Sequence, residues 1–217
     1  MTASPSSPSP LIWNEPEFRR MAARALHDDP AEAGKHPRSS DFDLNGDMPA
    51  PSSETLRPAA VLIPVVARDV LSVLLTERTA QLPTHSGQIA FPGGKIEVGE
   101  TATEAALRET HEEIGLEARH IEPLGFLNFY RTGTGYLVAP LVALVQPDFK
   151  LSRNTEEVAD IFEVPLNFIL DPTNLRIDSR VWKGGDRRFY AIPYQERYIW
   201  GVTAGIIKAL HRSFSNP

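Results

Sequence analysis

At 217 residues the chain can bury a good core as one domain, and with 41% hydrophobic and 23% charged residues its composition is ordinary for a globular protein. A formal charge of −6 argues against a general binder of nucleic acid or anionic membrane, and the absence of cysteine excludes disulfides, thiolate catalysis and cysteine-based zinc sites. No apolar run approaches the roughly 20 residues of a membrane-spanning helix. The N-terminal MTASPSSPSPLIWNEPE lacks a basic-then-apolar leader pattern, and the final SNP is not a peroxisomal address. A cytoplasmic protein is expected, as monomer or homodimer, with a small molecule as its partner.

Residues 1–10 are rich in Pro and Ser, a composition that predicts disorder. NEPEFRRMAARAL predicts a short helix near residues 14–26, with Asn14 as N-cap, Pro16 in the first turn and Phe18, Met21, Ala22, Ala25 and Leu26 on one apolar stripe. From about His27 to Pro58 the chain is polar and rich in Pro, Asp and Ser, including DFDLNGD, as a linker is. This divides the chain into an N-terminal extension over 1–55, largely disordered and dispensable for chemistry, and a compact domain over 56–217. There AAVLIPVVAR and VLSVLLTER predict two paired strands, followed by strand character at Ile89–Phe91 and a break at Pro92-Gly93-Gly94. TATEAALRETHEEIGL is a strong helix, and GFLNFYRTGTGYLVAPLVALV predicts two strands around Thr132 to Gly135. VADIFEVP predicts a strand, LNFIL a short helix, RRFYAIPY a strand and TAGIIKALHRSF a closing helix. Strands interleaved with two well-separated helices predict an α/β fold whose mixed sheet is covered on both faces.

In the strong helix Thr101 and Glu104 fit a capping box, and Gly115 stands where a helix end favours a left-handed residue. Glu109, Glu112 and Glu113 span an arc of about 100°. Thr103, Leu107, Thr110 and Ile114 lie roughly opposite, which predicts that they pack on the sheet while the glutamates face a cleft or solvent. Clustered glutamates are ordinarily just a solvated face, because neighbouring carboxylates repel. Here they sit inside a longer pattern, G-x5-E-x7-R-E-x-x-E-E-x-G, which runs through Gly94, Glu100, Arg108 and Gly115. Its seven fixed positions match by chance on the order of once in 10⁸–10⁹ starts.

Residues 94–116, GKIEVGETATEAALRETHEEIGL, closely resemble the Nudix box, with one departure at Thr110, where the family usually carries an aliphatic residue. The resemblance implies a Nudix-type α/β/α sandwich with a mixed β-sheet between helices, and hydrolysis of a nucleoside diphosphate linked to another group. It implies that Glu109, Glu112 and Glu113 ligate Mg2+ or Mn2+, with the backbone carbonyl of Gly93 or Gly94 as a further oxygen. Hard divalent cations suit such oxygens and let carboxylates share a site with a diphosphate. Glu100 and Arg108 are expected to form a structural ion pair rather than to react. In NTEEVADIFEVPL, Glu157 is the candidate for a further metal ligand or general base.

Just upstream, residues 74–94, LLTERTAQLPTHSGQIAFPGG, resemble the additional signature of the coenzyme A pyrophosphatase subgroup through Leu74, Leu75, Thr76, Arg78, Gly87, Phe91, Pro92, Gly93 and Gly94. Pro83 departs from it, at a position where a basic residue is common. RRFYAIPYQERYIWGVTAGII resembles the same subgroup, so the likeness covers about residues 59–208. It implies coenzyme A or its thioesters as substrate, and 3′,5′-ADP and (acyl-)4′-phosphopantetheine as products. Arg78, at a strand end beside the glycine turn, is expected to bind the 3′-phosphate, since a guanidinium can bind phosphate bidentately. His85, Gly87, Gln88, Gly93 and Gly94 complete the expected substrate-binding set, although a lone histidine such as His85 is more often a hydrogen-bonded loop residue. Two alternatives stand beside this reading: another Nudix substrate such as ADP-ribose, NADH or a nucleoside triphosphate, or a non-catalytic nucleotide-binding module. The intact glutamates speak against the second, because a pure binder need not retain metal ligands.

Overall fold

The computed structural model describes residues 13–35, 39–46, 55–81, 86–182 and 185–215; the segment 1–10 read as disordered, together with Pro83 and His85, lies outside them. In chain order the elements are α1 (Glu15–Ala25), α2 (Pro30–Lys35), β1 (Ser39–Ser40), β2 (Arg57–Val66), β3 (Ser72–Arg78), β4 (Ile89–Ala90), β5 (Gly93–Lys95), α3 (Ala102–Ile114), β6 (Ile121–Phe126), β7 (Tyr130–Arg131), β8 (Tyr136–Val145), β9 (Val158–Pro165), α4 (Leu166–Ile169), β10 (Arg176–Trp182), β11 (Gly185–Tyr194), β12 (Arg197–Trp200) and α5 (Val202–Ser215).

The main sheet grows from β2 and β8, which pair in parallel from Arg57↔Tyr136 to Val66↔Val145. Successive side chains of a strand point to opposite faces. Ala59, Ile63 and Val65 of β2 accordingly enter one core, while Ala60, Leu62 and Val66 enter the other. In β8, Val138, Val142 and Leu144 alternate in the same way with Ala139, Leu141, Ala143 and Val145. Burial on both faces explains why these strands read as unbroken apolar runs. One face is covered by α3 and by Ala33 of α2, the other by α1, α4 and α5. This is the α/β/α sandwich with a mixed sheet.

The expected pairing of β2 with β3 holds only at Val65↔Val73 and Val66↔Ser72. From there β3 leaves its neighbour and runs antiparallel to β9, while β5 occupies β2 at residues 59–61. The two strands fork, and the glycine turn sits in the opening. Pro64 falls in the gap between β5 and β3. Leu62 N–H points to that side, donating to Pro92 O at 2.9 Å, so the N–H that proline lacks breaks no ladder bond.

The segment read as a linker contributes to the fold. Beyond α1 it forms α2 and then β1, which adds in parallel to β7. Ring contacts of 5.6 Å from Trp13 and 5.5 Å from Phe18 to Phe214 seat α1 on α5, and Arg19 reaches Glu122 of β6 at 2.6 and 2.8 Å. Asp41 accepts from the Tyr130 hydroxyl at 3.0 Å and from Gly133 N–H at 2.7 Å. The Asn45 side chain accepts from the backbone N–H of Arg188 and donates to its carbonyl. Polar composition signals only that these side chains need partners; here the partners are the Tyr130 hydroxyl and backbone groups of the domain. β10 and β12, absent from the sequence expectation, complete a separate antiparallel sheet in the order β10-β11-β12. RIDSRVW alternates charge with apolar residues that remain exposed, such as Ile177 and Val181, so it carries no core signal.

Phe18 is fully buried against Phe214. Phe18→Ala is expected to destabilise the protein by about 3–5 kcal/mol, read as a lower urea midpoint with the slope unchanged. An unaltered midpoint would mean that α1 lies outside the cooperative unit.

Candidate active site

The helix that carries the glutamates is well specified at both ends. Thr101 Oγ1 accepts from Glu104 N–H while the Glu104 carboxylate accepts from Thr101 N–H, closing the capping box, and Gly115 ends α3 at φ 68°. The buried face differs from the helical-wheel expectation. Ala102, Ala105, Ala106, Thr110, Glu113 and Ile114 are buried, whereas Thr103 and Leu107 lie at the margin. The alanine stripe, not Leu107, faces the sheet, because small side chains let the helix axis approach β2 and β5 closely. Thr110 keeps its buried hydroxyl satisfied by donating to Ala106 O at 2.6 Å. The three glutamates consequently differ: the Glu113 side chain is 5% exposed, Glu109 20% and Glu112 56%.

Two glycines make this packing possible. A Cβ on Gly94 would overlap the Glu109 carboxylate, and a Cβ on Gly93, at φ 153°, would overlap the backbone of β2. Gly93 N–H donates to Glu113 Oε2 at 3.3 Å. Arg108 holds the rest together. Its Nε and Nη2 meet the two Glu100 carboxylate oxygens at 2.8 and 3.1 Å, Nη2 also donates to Lys95 O at 3.2 Å, and Nη1 lies 3.1 Å from both Glu109 and Glu112. Arg108, and then the N–H of Glu97, hold the Glu100 carboxyl below its ordinary value. Removal from water raises the Glu109 carboxyl, against the pull of Arg108. The same desolvation, reinforced by Glu109 and Glu157 and opposed by Gly93 N–H and Arg78, pushes Glu113 up to about 7. Glu157, half-buried in the turn before β9, therefore shares the charge field of Glu109 and Glu113; Glu156 beside it is exposed.

Arg78 ends β3 at a register shift against β9, and such irregularities re-aim a side chain. Its backbone pairs with Gln88 O at 3.0 Å and with Gly87 N at 3.1 Å. Its Nη1 lies 3.6 Å from Glu113, and its buried Nε has no hydrogen-bond partner among the described residues. Arg78 is therefore at the carboxylate cluster. On its other side it lines a cavity of about 750 Å³, together with Gly87, Gln88, Tyr130, Arg180, Arg187 and Trp200 among others. Of these, Tyr130, Arg180, Arg187 and Trp200, like Asp41 at the same cavity, carry no role in the sequence reading. The alternation of arginine and aromatic residues in RRFYAIPYQERYIW is the signal that could have marked this wall. His111 is exposed.

The donor set fits a hard divalent cation. Carboxylate oxygens crowd a half-dry cleft, and Glu113 cannot ionise comfortably without more positive charge beside it. Among the described residues no trio of His, Asp or Glu stands already converged on one point, since Arg108 draws Glu109 and Glu112 toward itself.

Comparison with known proteins places these residues in a wider context. The NUDIX domain family model matches residues 56–182. The chain is 39% identical over 177 residues to an uncharacterized Nudix hydrolase NudL of Yersinia enterocolitica, covering 79% of this chain and 88% of that one. It is 39% identical over 165 residues to the Escherichia coli O7:K1 protein of the same description, covering 75% and 86%. Among solved structures, a MutT/nudix family protein from Enterococcus faecalis superposes with a TM-score of 0.47 at 18% identity, covering 94% of this chain and 76% of that one.

The Glu113 carboxyl, up at about 7, stands above its unfolded value of roughly 4.3. Protonated Glu113 thus favours the folded state, a contribution full below the unfolded pKa and lost as pH rises through the folded one. Melting temperatures of chelator-treated protein are expected to decline between about pH 5 and pH 8, and Glu113→Gln should flatten that slope. The same slope in Glu113→Gln would show that another group carries it.

Proposed function

We propose that this chain, which belongs to the Nudix family, is a metal-dependent pyrophosphatase that hydrolyses the diphosphate of coenzyme A or its thioesters. The observation that carries the reading is the meeting of two motifs in space. The LLTER segment delivers Arg78 to within 3.6 Å of Glu113, on the helix of the glutamate motif, and Arg78 also lines the adjoining cavity. That supports one continuous site for a diphosphate and the group attached to it.

Glu109, Glu112 and Glu113, with the backbone carbonyl of Gly93, would hold the Mg2+ or Mn2+. Bound there, the cation supplies charge neutralisation and polarises phosphoryl oxygens. Arg78 contacts a non-bridging oxygen of the diphosphate, and its partnerless Nε suits that anion. Its position against Glu113 favours the diphosphate over the 3′-phosphate as its partner. Glu100 anchors Arg108, whose guanidinium also reaches Glu109 and Glu112 and would hold them near the cation site. Glu157 takes the proton from the attacking water. Water adds to one phosphorus, the bridging P–O bond breaks, and two phosphomonoesters leave, with coenzyme A giving 3′,5′-ADP and 4′-phosphopantetheine.

Mass spectrometry of coenzyme A incubated with protein and magnesium or manganese is expected to give those two products. Preferential hydrolysis of ADP-ribose, NADH or a nucleoside triphosphate would replace coenzyme A by that substrate. Glu113→Gln should lower kcat by roughly 10³-fold or more, the loss expected for one metal ligand, while retaining a cooperative melt. Near-normal turnover in that variant would remove the metal assignment. Arg78→Ala should lower kcat/KM by about 10- to 150-fold, equally for coenzyme A and 3′-dephospho-coenzyme A, because both carry the diphosphate. A loss confined to coenzyme A would return Arg78 to the 3′-phosphate.

A further inference from the structure

The cavity beside the carboxylate cluster has a second charged wall. In the β10–β11 hairpin Arg180 pairs directly with Arg187, and both side chains line the cavity that Arg78 borders. Residues directly opposite in an antiparallel pair have Cβ atoms about 4.5–5.5 Å apart, and like charges so placed destabilise the sheet. Each guanidinium is nevertheless held in place. The Arg180 guanidinium lies 4.7 Å from the centre of the Trp200 ring, and Arg187 Nη2 lies 3.2 Å from Asp41 Oδ2. Asp41 is itself committed to Tyr130 and Gly133 N–H. Arginines paired across one cavity wall have the chemistry to receive an oxyanion, since a guanidinium binds phosphate bidentately.

We infer that Arg180 and Arg187 form a second anion subsite, which binds a phosphate group of the substrate other than the diphosphate that is cleaved. Asp41, from the N-terminal segment, is the positioning residue for Arg187. The subsite deepens the reading of coenzyme A as substrate and rests on it for the identity of the anion, its 3′-phosphate. It also makes residues 39–46 part of substrate recognition. The diphosphate falls to Arg78 and the metal ligands, and the remote phosphate to the hairpin.

The test compares coenzyme A with 3′-dephospho-coenzyme A, which differ only in that phosphate. Arg187→Ala and Arg180→Ala are each expected to lower kcat/KM for coenzyme A by about 10- to 100-fold, the worth of charge-assisted hydrogen bonds, while changing the dephospho substrate by less than about threefold. Asp41→Asn should reduce the same preference in part. Equal losses on the two substrates, or none, would overturn the subsite. Should either alanine variant fail to melt cooperatively, Arg187→Gln and Arg180→Gln carry the comparison. Calorimetric binding of 3′,5′-ADP and 5′-AMP to the full chain separates this inference from the hydrolysis reading. Tighter binding of 3′,5′-ADP that Arg187→Ala erases sustains the subsite even if coenzyme A is not hydrolysed. Hydrolysis of coenzyme A with the substrate preference intact in Arg187→Ala would retain the activity and remove the subsite.

Discussion

Glu113 is the point on which the site turns: a carboxylate almost wholly withdrawn from water, with Glu109 and Glu157 near enough to raise its proton affinity further. Burying a charge is costly unless partners compensate, and among the described residues the partners are Gly93 N–H at 3.3 Å and Arg78 at 3.6 Å. Much of the surrounding architecture follows from holding that group where it is. The alanine stripe brings α3 close to β2 and β5, the glycine pair leaves room for the Glu109 carboxylate, and Arg108 cross-links helix, loop and neighbouring glutamates. A tightly packed but electrostatically unfinished cleft is the state in which a divalent cation has the most to offer.

The sheet prepares the opening for this cleft. β3 parts from β2 after two residue pairs, and the space between them receives the glycine turn on one side and Arg78 on the other. Around that fork the protein adds material from both ends of the chain. The segment 39–46 ties to β7 and β11, and the β10–β12 sheet raises an aromatic and basic wall across the cavity. Gly205 lets α5 press on Tyr130, since a Cβ there would overlap the phenol. Burial, and then the neighbouring Asp41, push the Tyr130 hydroxyl far above its ordinary range. It therefore remains a proton donor to Asp41, and the N-terminal segment stays attached through a neutral hydroxyl.

Legibility in the sequence followed the range of the interactions. Thr101, Glu104 and Gly115 act within a turn of their own positions, and the helix they delimit runs as their spacing implies. Asn14 capping α1 and the apolar runs of β2, β8 and β9 belong to the same class, as does the closing helix. Which face of α3 is buried was less legible. Helical periodicity orders residues around an axis, but whether Ala105 or Leu107 meets the sheet depends on how closely the sheet approaches. The role of DFDLNGD was not legible, because Asp41 and Asn45 find partners roughly 90 and 140 residues away. Arg180 carries no local mark either, and its meeting with Arg187 is a matter of strand register.

The sequence by itself thus determined the covalent pattern of the glutamate helix, the glycine turn that must accompany it, the two-sided burial of the central strands and the family to which the chain belongs. These rest on spacing along the chain, where each residue's neighbours are set by the polymer. Tertiary structure alone decided that Glu113 is the buried carboxylate while Glu112 stays wet, that Arg78 belongs beside it, and that the N-terminal segment and the β10–β11 hairpin share one cavity. The physical reason is that burial, proton affinity and charge pairing depend on distances through space, and those exist only once the fork in the sheet has closed around the helix.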